Sequence, residues 1–150
     1  MSNKYLQFYR EVLQSATKMS TCRRLQVGAI IVKDGRVKSS GWNGTMPGQP
    51  HCCEKFPEDT LNADTFFDEH GRFSAENEGH AEMSAIAYAA REGVATNGCD
   101  MAVTHTPCAA CAKVIILAGI KRIYYIQKYD RDTSGFDLLQ RCGIECIQLP

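Results

Sequence analysis

The second half of the chain alternates short apolar runs with helical segments, and this alternation constrains the fold more than any other feature. The pattern predicts strands over 101–104, 122–126 and 145–149, and helices over 80–91, 108–118 and 137–141. A strand followed by a helix and another strand forms a crossover connection, so we expect at least partly parallel pairing. The chain is therefore predicted to be an α/β protein.

The first half of the chain adds one helix and one β-hairpin. Residues 5–18 place apolar side chains at helical spacing, which predicts an amphipathic helix. Residues 27–33 form an almost continuous β-branched run, and Asp34-Gly35 is a hairpin turn signal that leads into a strand over 37–42. Together the elements predict a three-layer α/β/α sandwich around a five-stranded mixed sheet.

Residues 43–79 differ from the rest of the chain. They are rich in Gly, Pro, Asn and acidic residues, and eight Asp or Glu lie between His51 and His80 against two Lys or Arg. We predict no regular helix or strand here. A loop of this length inside a compact domain is uncommon unless it is functional or anchored. We therefore expect a single domain over 1–150 with a long functional insertion at about 43–79.

Composition excludes several functional classes. The 150 residues include 17 acidic and 17 basic side chains, so the formal net charge is zero and we expect no nucleic-acid partner. The longest apolar run, 114–120, is too short for a membrane helix, and the N-terminus carries no signal-peptide pattern. We therefore expect a cytoplasmic protein, whose eight cysteines are metal ligands or core thiols rather than disulfides.

Two short motifs carry the chemistry, and each opens a predicted helix. The first is His80-Ala-Glu82, and the second is Pro-Cys108-Ala-Ala-Cys111. A Cys-x-x-Cys at a helix start directs both sulfurs to one point, and the helix N-terminus lowers the thiol pKa and favours the thiolate that zinc requires. With His80 as third ligand, one tetrahedral position stays open for water, as in catalytic zinc sites.

Glu82 is the candidate general acid/base at this site. Zinc lowers the pKa of a bound water, and a nearby carboxylate can take the proton and deliver it to the substrate. A Cys-x-x-Cys alone also occurs in redox pairs and in structural zinc sites, so a zinc module that serves only folding is the competing interpretation. That module predicts a fourth protein ligand and no role for Glu82.

His-x-Glu followed by Pro-Cys-x-x-Cys is the signature of zinc nucleobase deaminases. From about Cys22 to the C-terminus, the sequence resembles the deoxycytidylate (dCMP) deaminases of the cytidine deaminase superfamily, especially phage-encoded members. That family usually has Tyr where Trp42 stands. The matching stretches are 25–31, 41–45, 52–53, 79–86, 107–113 and 128–130.

The resemblance implies hydrolysis of dCMP to dUMP and ammonia, which supplies dUMP for thymidylate synthesis. Water activated by zinc would attack C4 of the base, and Glu82 would protonate N3 and the departing amine. The resemblance assigns the remaining substrate contacts to the backbone N–H groups of Ala81 and Cys108 for the ring, Asn43 for the sugar, and Arg24 and Tyr129 for the 5′-phosphate. From the residues alone, Arg24 could equally be a solvated charge and Tyr129 a core-edge residue.

Some family members carry a second, structural zinc in the insertion. Cys22, Cys52 and His70 match three of its ligands. The fourth ligand is not evident from the sequence, and His51, Cys53 or an acid such as Asp68 could supply it. The alternative is that the two cysteines are ordinary core thiols and that His70 is a surface residue.

The resemblance also implies a homohexamer that dCTP activates and dTTP inhibits, with Mg²⁺ accompanying these triphosphates. The residues that match positions tied to regulation and subunit contact are Gly41, Gly44, Tyr88 and Arg91. A broader deaminase that also accepts dCTP, or another cytidine or nucleic-acid deaminase on the same scaffold, is the alternative function. If the gene belongs to a phage, the location would be the host cytoplasm.

Overall fold

The computed structural model describes residues 1–150 and contains six α-helices, seven strands and one 3₁₀ helix. The longest helix has 15 residues, and none combines the length and apolar character needed to span a bilayer. In chain order the elements are α1 (Asn3–Thr17), β1 (Gly28–Lys33), β2 (Arg36–Trp42), β3 (Gly44–Thr45), α2 (Cys52–Lys55), the 3₁₀ helix (Glu58–Thr60), α3 (Phe66–Asn77), β4 (Glu78–Gly79), α4 (Ala81–Arg91), β5 (Asp100–His105), α5 (Ala109–Leu117), β6 (Arg122–Gln127), α6 (Ser134–Arg141) and β7 (Glu145–Gln148).

The main sheet has five strands in the order β2-β1-β5-β6-β7. Strand β1 is antiparallel to β2 and β5, whereas β5, β6 and β7 are parallel, which confirms the predicted mixed sheet. The predicted hairpin turn is also present: Asp34 has φ 53° and Gly35 has φ 72°. Positive φ at both residues gives a turn whose twist matches that of the flanking strands.

Helices cover both faces of the sheet, as the three-layer prediction requires. Helix α1 packs on one face, with Tyr9 and Leu13 against Ile30 of β1. Helices α4, α5 and α6 pack on the other face, where Ile31 of β1 joins a larger cluster that includes Leu139 of α6. Because β1 is buried on both faces, its residues are continuously apolar rather than alternating.

The insertion contains regular structure, so the prediction of no helix or strand there was wrong. Helix α3 spans twelve residues, and Phe66, His70 and Phe73 form its inner face against Phe56 of the preceding segment. These residues recur at the i, i+4, i+7 spacing of a buried helix face, but they are aromatic rather than aliphatic. At the ends of the insertion, β3 pairs with β4, which holds the segment beside His80.

Candidate active site

The two predicted motifs meet where α4 and α5 begin. His80 is the N-cap residue of α4, and Cys108 is the N-cap residue of α5. The Nδ1 atom of His80 lies 3.4 Å from Sγ of Cys108 and 3.3 Å from Sγ of Cys111. The Cys108 sulfur also caps α5, because it accepts a hydrogen bond from the Cys111 backbone N–H at 3.5 Å. This hydrogen bond holds the sulfur at the start of the helix.

This cluster fits a tetrahedral zinc ion. Zinc–sulfur and zinc–nitrogen bonds of ordinary length place sulfur and nitrogen ligands about 3.5 Å apart, close to the separations found here. Hydrogen bonds from Cys111 and His80 lower the pKa of the Cys108 thiol to about 4, which favours a thiolate. The cluster offers three ligands and no fourth, so it lacks the closed protein shell of a structural zinc site.

Glu82 lies in the first turn of α4 and is buried, with 5% of its surface exposed. Burial raises the pKa of its carboxyl, and the Cys111 thiol and His80 only partly offset this effect. The position of α4 depends on Gly41 of β2, since a side chain there would overlap the Ala81 carbonyl and the Ala85 N–H. The Glu82 carboxyl therefore binds a proton more readily than an exposed carboxyl does. The packing of α4 on Gly41 fixes its position beside the cluster.

A cavity of about 470 Å³ opens over the cluster, a size typical of small-molecule sites. It brings together all the residues predicted to hold substrate and several that were not predicted. The predicted residues that line it are Arg24, Asn43, Ala81, Glu82, Cys108 and Tyr129, and the additional ones include Ser74, His105 and Thr106. Arg24 is the only Lys or Arg among the lining residues.

Most of the Asn43 amide is used to shape the loop that carries Arg24. Its Oδ1 accepts hydrogen bonds from the Ser20 hydroxyl at 2.7 Å and the Val27 N–H at 2.9 Å, and its Nδ2 donates to the Leu25 carbonyl at 2.8 Å. An amide has two acceptor sites and two N–H donors. One N–H of Asn43 is thus left for a substrate.

Arg24 and Tyr129 are each held by a neighbour. The Arg24 guanidinium lies over the ring of Phe67, 5.3 Å from its centroid, although Phe67 itself is 62% exposed. The Tyr129 backbone N–H donates to the Thr106 hydroxyl at 2.8 Å. Phe67 was not predicted, and only its place in α3, which the sequence analysis missed, brings it to Arg24.

The second predicted cluster is present, and its fourth member is Glu78. Cys22, Cys52 and His70 lie with Glu78 so that the four ligand atoms are within 4.8 Å of one another. The suggested fourth ligands His51, Cys53 and Asp68 are outside the cluster. His51 is the N-cap residue of α2, and its backbone N–H donates a hydrogen bond to the Glu54 carboxylate at 2.8 Å.

Buried and unpaired atoms show that the second cluster fits a metal ion. Sγ of Cys22 lies 3.4 Å from Nε2 of His70, which lies 3.8 Å from Oε1 of Glu78. That Glu78 oxygen is buried without a hydrogen-bond partner, an arrangement that costs free energy unless a cation compensates it. Burial also raises the pKa of Cys52 to about 12, so a metal would displace its proton.

A second groove of about 850 Å³ lies on the outer side of α4. Three of the four predicted regulatory residues line it: Gly44, Tyr88 and Arg91. The Arg91 guanidinium lies 4.8 Å from the centroid of the Tyr88 ring. Gly41 is not part of this groove, and its close approach is to the α4 backbone.

Comparisons with known proteins agree with the fold described above. An α/β/α sandwich that holds His, Cys, Cys and a buried Glu at one cavity defines a hydrolytic deaminase of the cytidine deaminase-like fold. Residues 2–127 match the family described as "Cytidine and deoxycytidylate deaminase zinc-binding region", and the chain belongs to this family.

Individual relatives cover nearly the whole chain. The deoxycytidylate deaminase of Enterobacteria phage T4 is 36% identical over 93% of this chain and 88% of its own length. ComE operon protein 2 of Bacillus subtilis is 39% identical over 87% of this chain and 63% of its own length. The crystal structure of dCMP deaminase from the cyanophage S-TIM5 in complex with dCMP and dUMP superposes with a TM-score of 0.80 at 34% identity, covering 99% of this chain and 98% of that one.

Proposed function

We propose that this chain hydrolyses dCMP to dUMP and ammonia, and so supplies dUMP for thymidylate synthesis. The observation that carries the proposal is the open three-ligand cluster beside buried Glu82, in one cavity with Arg24 and Tyr129. The relatives named deoxycytidylate deaminases and the cyanophage structure with dCMP and dUMP support the choice of substrate.

His80, Cys108 and Cys111 would hold the zinc ion. When bound, zinc supplies Lewis-acid chemistry by lowering the pKa of a water ligand toward neutrality. Glu82 accepts a proton from the attacking water and delivers it to ring N3 as the new C–O bond forms at C4. A second proton passes through Glu82 to the amine, the C4–N bond breaks, and ammonia leaves.

The remaining lining residues orient the nucleotide for this step. The N–H groups of Ala81 and Cys108 belong to helix starts, where backbone donors have no partner within the helix, and they are placed to bond the ring. The free N–H of Asn43 suits a sugar oxygen. Arg24 and the Tyr129 hydroxyl suit the 5′-phosphate, because a guanidinium fork and a hydroxyl both match phosphate oxygens.

The test is the ultraviolet absorbance change on mixing the zinc-loaded protein with dCMP, with deoxycytidine and dCTP in parallel. We expect turnover of dCMP well above that of deoxycytidine. Glu82→Gln should keep the zinc content and fold but lose activity by a factor of at least about 100. Full activity in Glu82→Gln would refute the mechanism, and equal turnover of dCMP and dCTP would favour the broader deaminase.

We further propose that Cys22, Cys52, His70 and Glu78 hold a structural zinc ion. These four ligands come from the α1–β1 loop, α2, α3 and β4, so a metal here would join the insertion to the rest of the domain. The closed, buried set of four protein ligands matches structural rather than catalytic zinc sites. Three of the four, Cys22, His70 and Glu78, also line the substrate cavity, so the metal would support one of its walls.

Regulation is the third part of the proposal. The groove lined by Gly44, Tyr88 and Arg91 is large enough for a nucleotide, and we assign it to dCTP and dTTP in a homohexamer. A Mg²⁺ site finds no support there, since the two metal-ligand clusters both lie elsewhere. A sigmoidal dCMP curve that dCTP makes hyperbolic would support the assignment, and a hyperbolic curve indifferent to both effectors would refute it.

A further inference from the structure

His105 ends strand β5 beside the groups assigned to the sugar and the phosphate. On one side, β5 pairs with β6 so that His105 lies opposite Gln127, two residues before Tyr129. On the other side, the antiparallel register pairs Ala29 with Val103, which carries Val27 to the level of His105. At this end of the strands, His105 therefore lies between Tyr129 and Asn43. The Asn43 side chain accepts a hydrogen bond from the Val27 N–H.

Only one nitrogen of the His105 imidazole has a hydrogen-bond partner in the protein. Nδ1 of His105 lies 3.0 Å from the Thr104 hydroxyl oxygen, which also accepts the Gly28 N–H at 3.1 Å. The hydroxyl proton can go to Nδ1 or to the Gly28 carbonyl, which is farther away at 3.5 Å. When the Thr104 hydroxyl donates to Nδ1, the ring proton lies on Nε2, which makes Nε2–H a donor.

The environment of His105 keeps the ring neutral in the free protein. His105 is half-buried, and burial lowers the pKa of its imidazole with no other group contributing. The neutral ring carries one N–H, and Nε2 makes no hydrogen bond within the protein. A half-buried donor without a partner, in the wall of a substrate cavity, is suited to a ligand oxygen.

We propose that His105 is a specificity-determining residue whose Nε2–H donates a hydrogen bond to an oxygen of the substrate's 5′-phosphate. The inference rests on the proposed function and deepens it. Because Arg24 is the only Lys or Arg of the cavity, the phosphate oxygens must be satisfied largely by neutral donors, and His105, Thr106 and Tyr129 supply such donors at this end of the strands. A free nucleoside has no phosphate and would not use the contact.

Two substitutions separate this role from a structural one. Glutamine places its amide nitrogen near the position of Nε2, whereas asparagine places its amide near the position of Nδ1. If Nε2–H contacts the phosphate, His105→Asn raises the KM for dCMP roughly ten- to hundredfold, the range of one hydrogen bond to a charged group. His105→Gln should recover most of this loss, and kcat should change by less than about threefold in both variants.

Steady-state kinetics on dCMP and deoxycytidine, with zinc content measured for each protein, decide the question. We expect the KM for deoxycytidine to be the same in the wild-type protein and in both variants. Equal losses on the two substrates, or rescue by His105→Asn rather than His105→Gln, would overturn the phosphate contact and leave a role through Thr104. Wild-type turnover of dCMP tests the proposed function separately, because it does not depend on His105.

Discussion

Gly135, near the start of α6, packs directly against the backbone of Cys108. A methyl group at Gly135 would overlap the carbonyl oxygen of Pro107 and lie 2.6 Å from the carbonyl oxygen of Cys108. Since backbone atoms cannot rotate aside as a flexible side chain can, either α6 or the cysteine loop must move when Gly135 is enlarged. Helix α6 is thus the support that holds Cys108 in line with His80.

Gly135→Ala is therefore expected to damage the metal cluster. Overpacking of this kind costs about 1–3 kcal/mol, and we expect reduced zinc affinity and at least a tenfold loss of kcat/KM for dCMP. Gly71→Ala is the matched control for stability, because nothing lies within 4 Å of the added methyl and Ala favours the helix by about 1 kcal/mol. Chemical denaturation and zinc analysis of both variants check the prediction, and normal zinc retention in Gly135→Ala would contradict it.

The sequence was sufficient for the parts of the molecule that depend on local pattern. His80 and Cys108 each mark a helix start, and the apolar runs over 27–33 and 101–104 mark β1 and β5. Glu78 could not be found in this way, because nothing in its neighbours distinguishes it from the other acids of the insertion. It becomes a candidate ligand only when β4 pairs with β3, 33 residues earlier at Thr45, and buries its carboxylate.

Helix α3 shows a second limit of predicting secondary structure from sequence patterns. Its buried face consists of aromatic rings and a histidine, and Gly71 interrupts it, so neither aliphatic periodicity nor helix propensity marks it. The roles proposed for Phe67 and His105 depend on neighbours distant in the chain, Arg24 in one case and the paired strands in the other. Such roles are properties of the packed structure.

Phe67 is predicted to position Arg24 for the phosphate. An exposed cation–π contact is worth about 0.5–1 kcal/mol, so Phe67→Leu should raise the KM for dCMP roughly two- to fivefold. Phe67→Tyr keeps the ring and should restore the wild-type value, and the KM for deoxycytidine should not change in either variant. Because Phe67 is largely exposed, stability should change little, and equal effects on the nucleotide and the nucleoside would count against this role.

Asn43 is predicted to affect stability as well as substrate binding. Asn43→Ala removes three hydrogen bonds that hold the loop before β1, at a cost of roughly 2–3 kcal/mol in the free energy of unfolding. Ser20→Ala removes one of the three together with the bond from the Cys22 N–H at 3.3 Å, and should cost about 1–2 kcal/mol. Urea denaturation of the two variants provides the measurement, and a wild-type stability of Asn43→Ala would mean that the loop does not depend on the amide.

The second metal site is tested by a pair of adjacent cysteines. Cys52 belongs to the buried cluster, whereas Cys53 does not. We expect two zinc ions per chain in the wild-type protein and in Cys53→Ser, and one in Cys52→Ser. Loss of a saturated metal site should lower the free energy of unfolding by roughly 3 kcal/mol or more. Two zinc ions in Cys52→Ser, measured by elemental analysis, would rule out the assigned ligand set.

Asp100, at the start of β5, is predicted to make the stability of the fold fall as pH rises. Burial raises the pKa of its carboxyl, and the opposing attraction of Arg122, whose Nε lies 3.4 Å away, and of Lys121 does not cancel this effect, while Glu145 adds to it. The folded protein therefore binds the proton more tightly than the unfolded chain. The folding free energy gained from this proton is present at low pH and is lost as pH rises through the folded-state pKa.

Asp100→Asn removes this titration, so its stability relative to the wild-type protein should increase between pH 4 and pH 7. Asp132 is a control of opposite sign, because hydrogen bonds from Ser134 lower the pKa of its carboxyl. The stability that this lowered pKa contributes is present above the unfolded-state pKa, so Asp132→Asn should show a deficit in the free energy of unfolding that is nearly constant from pH 5 to pH 7. Urea denaturation of each variant beside the wild-type protein at every pH measures the differences, and loss of metal at low pH affects both partners of each comparison alike. If the difference between Asp100→Asn and the wild-type protein does not change with pH, burial does not control the ionisation of Asp100.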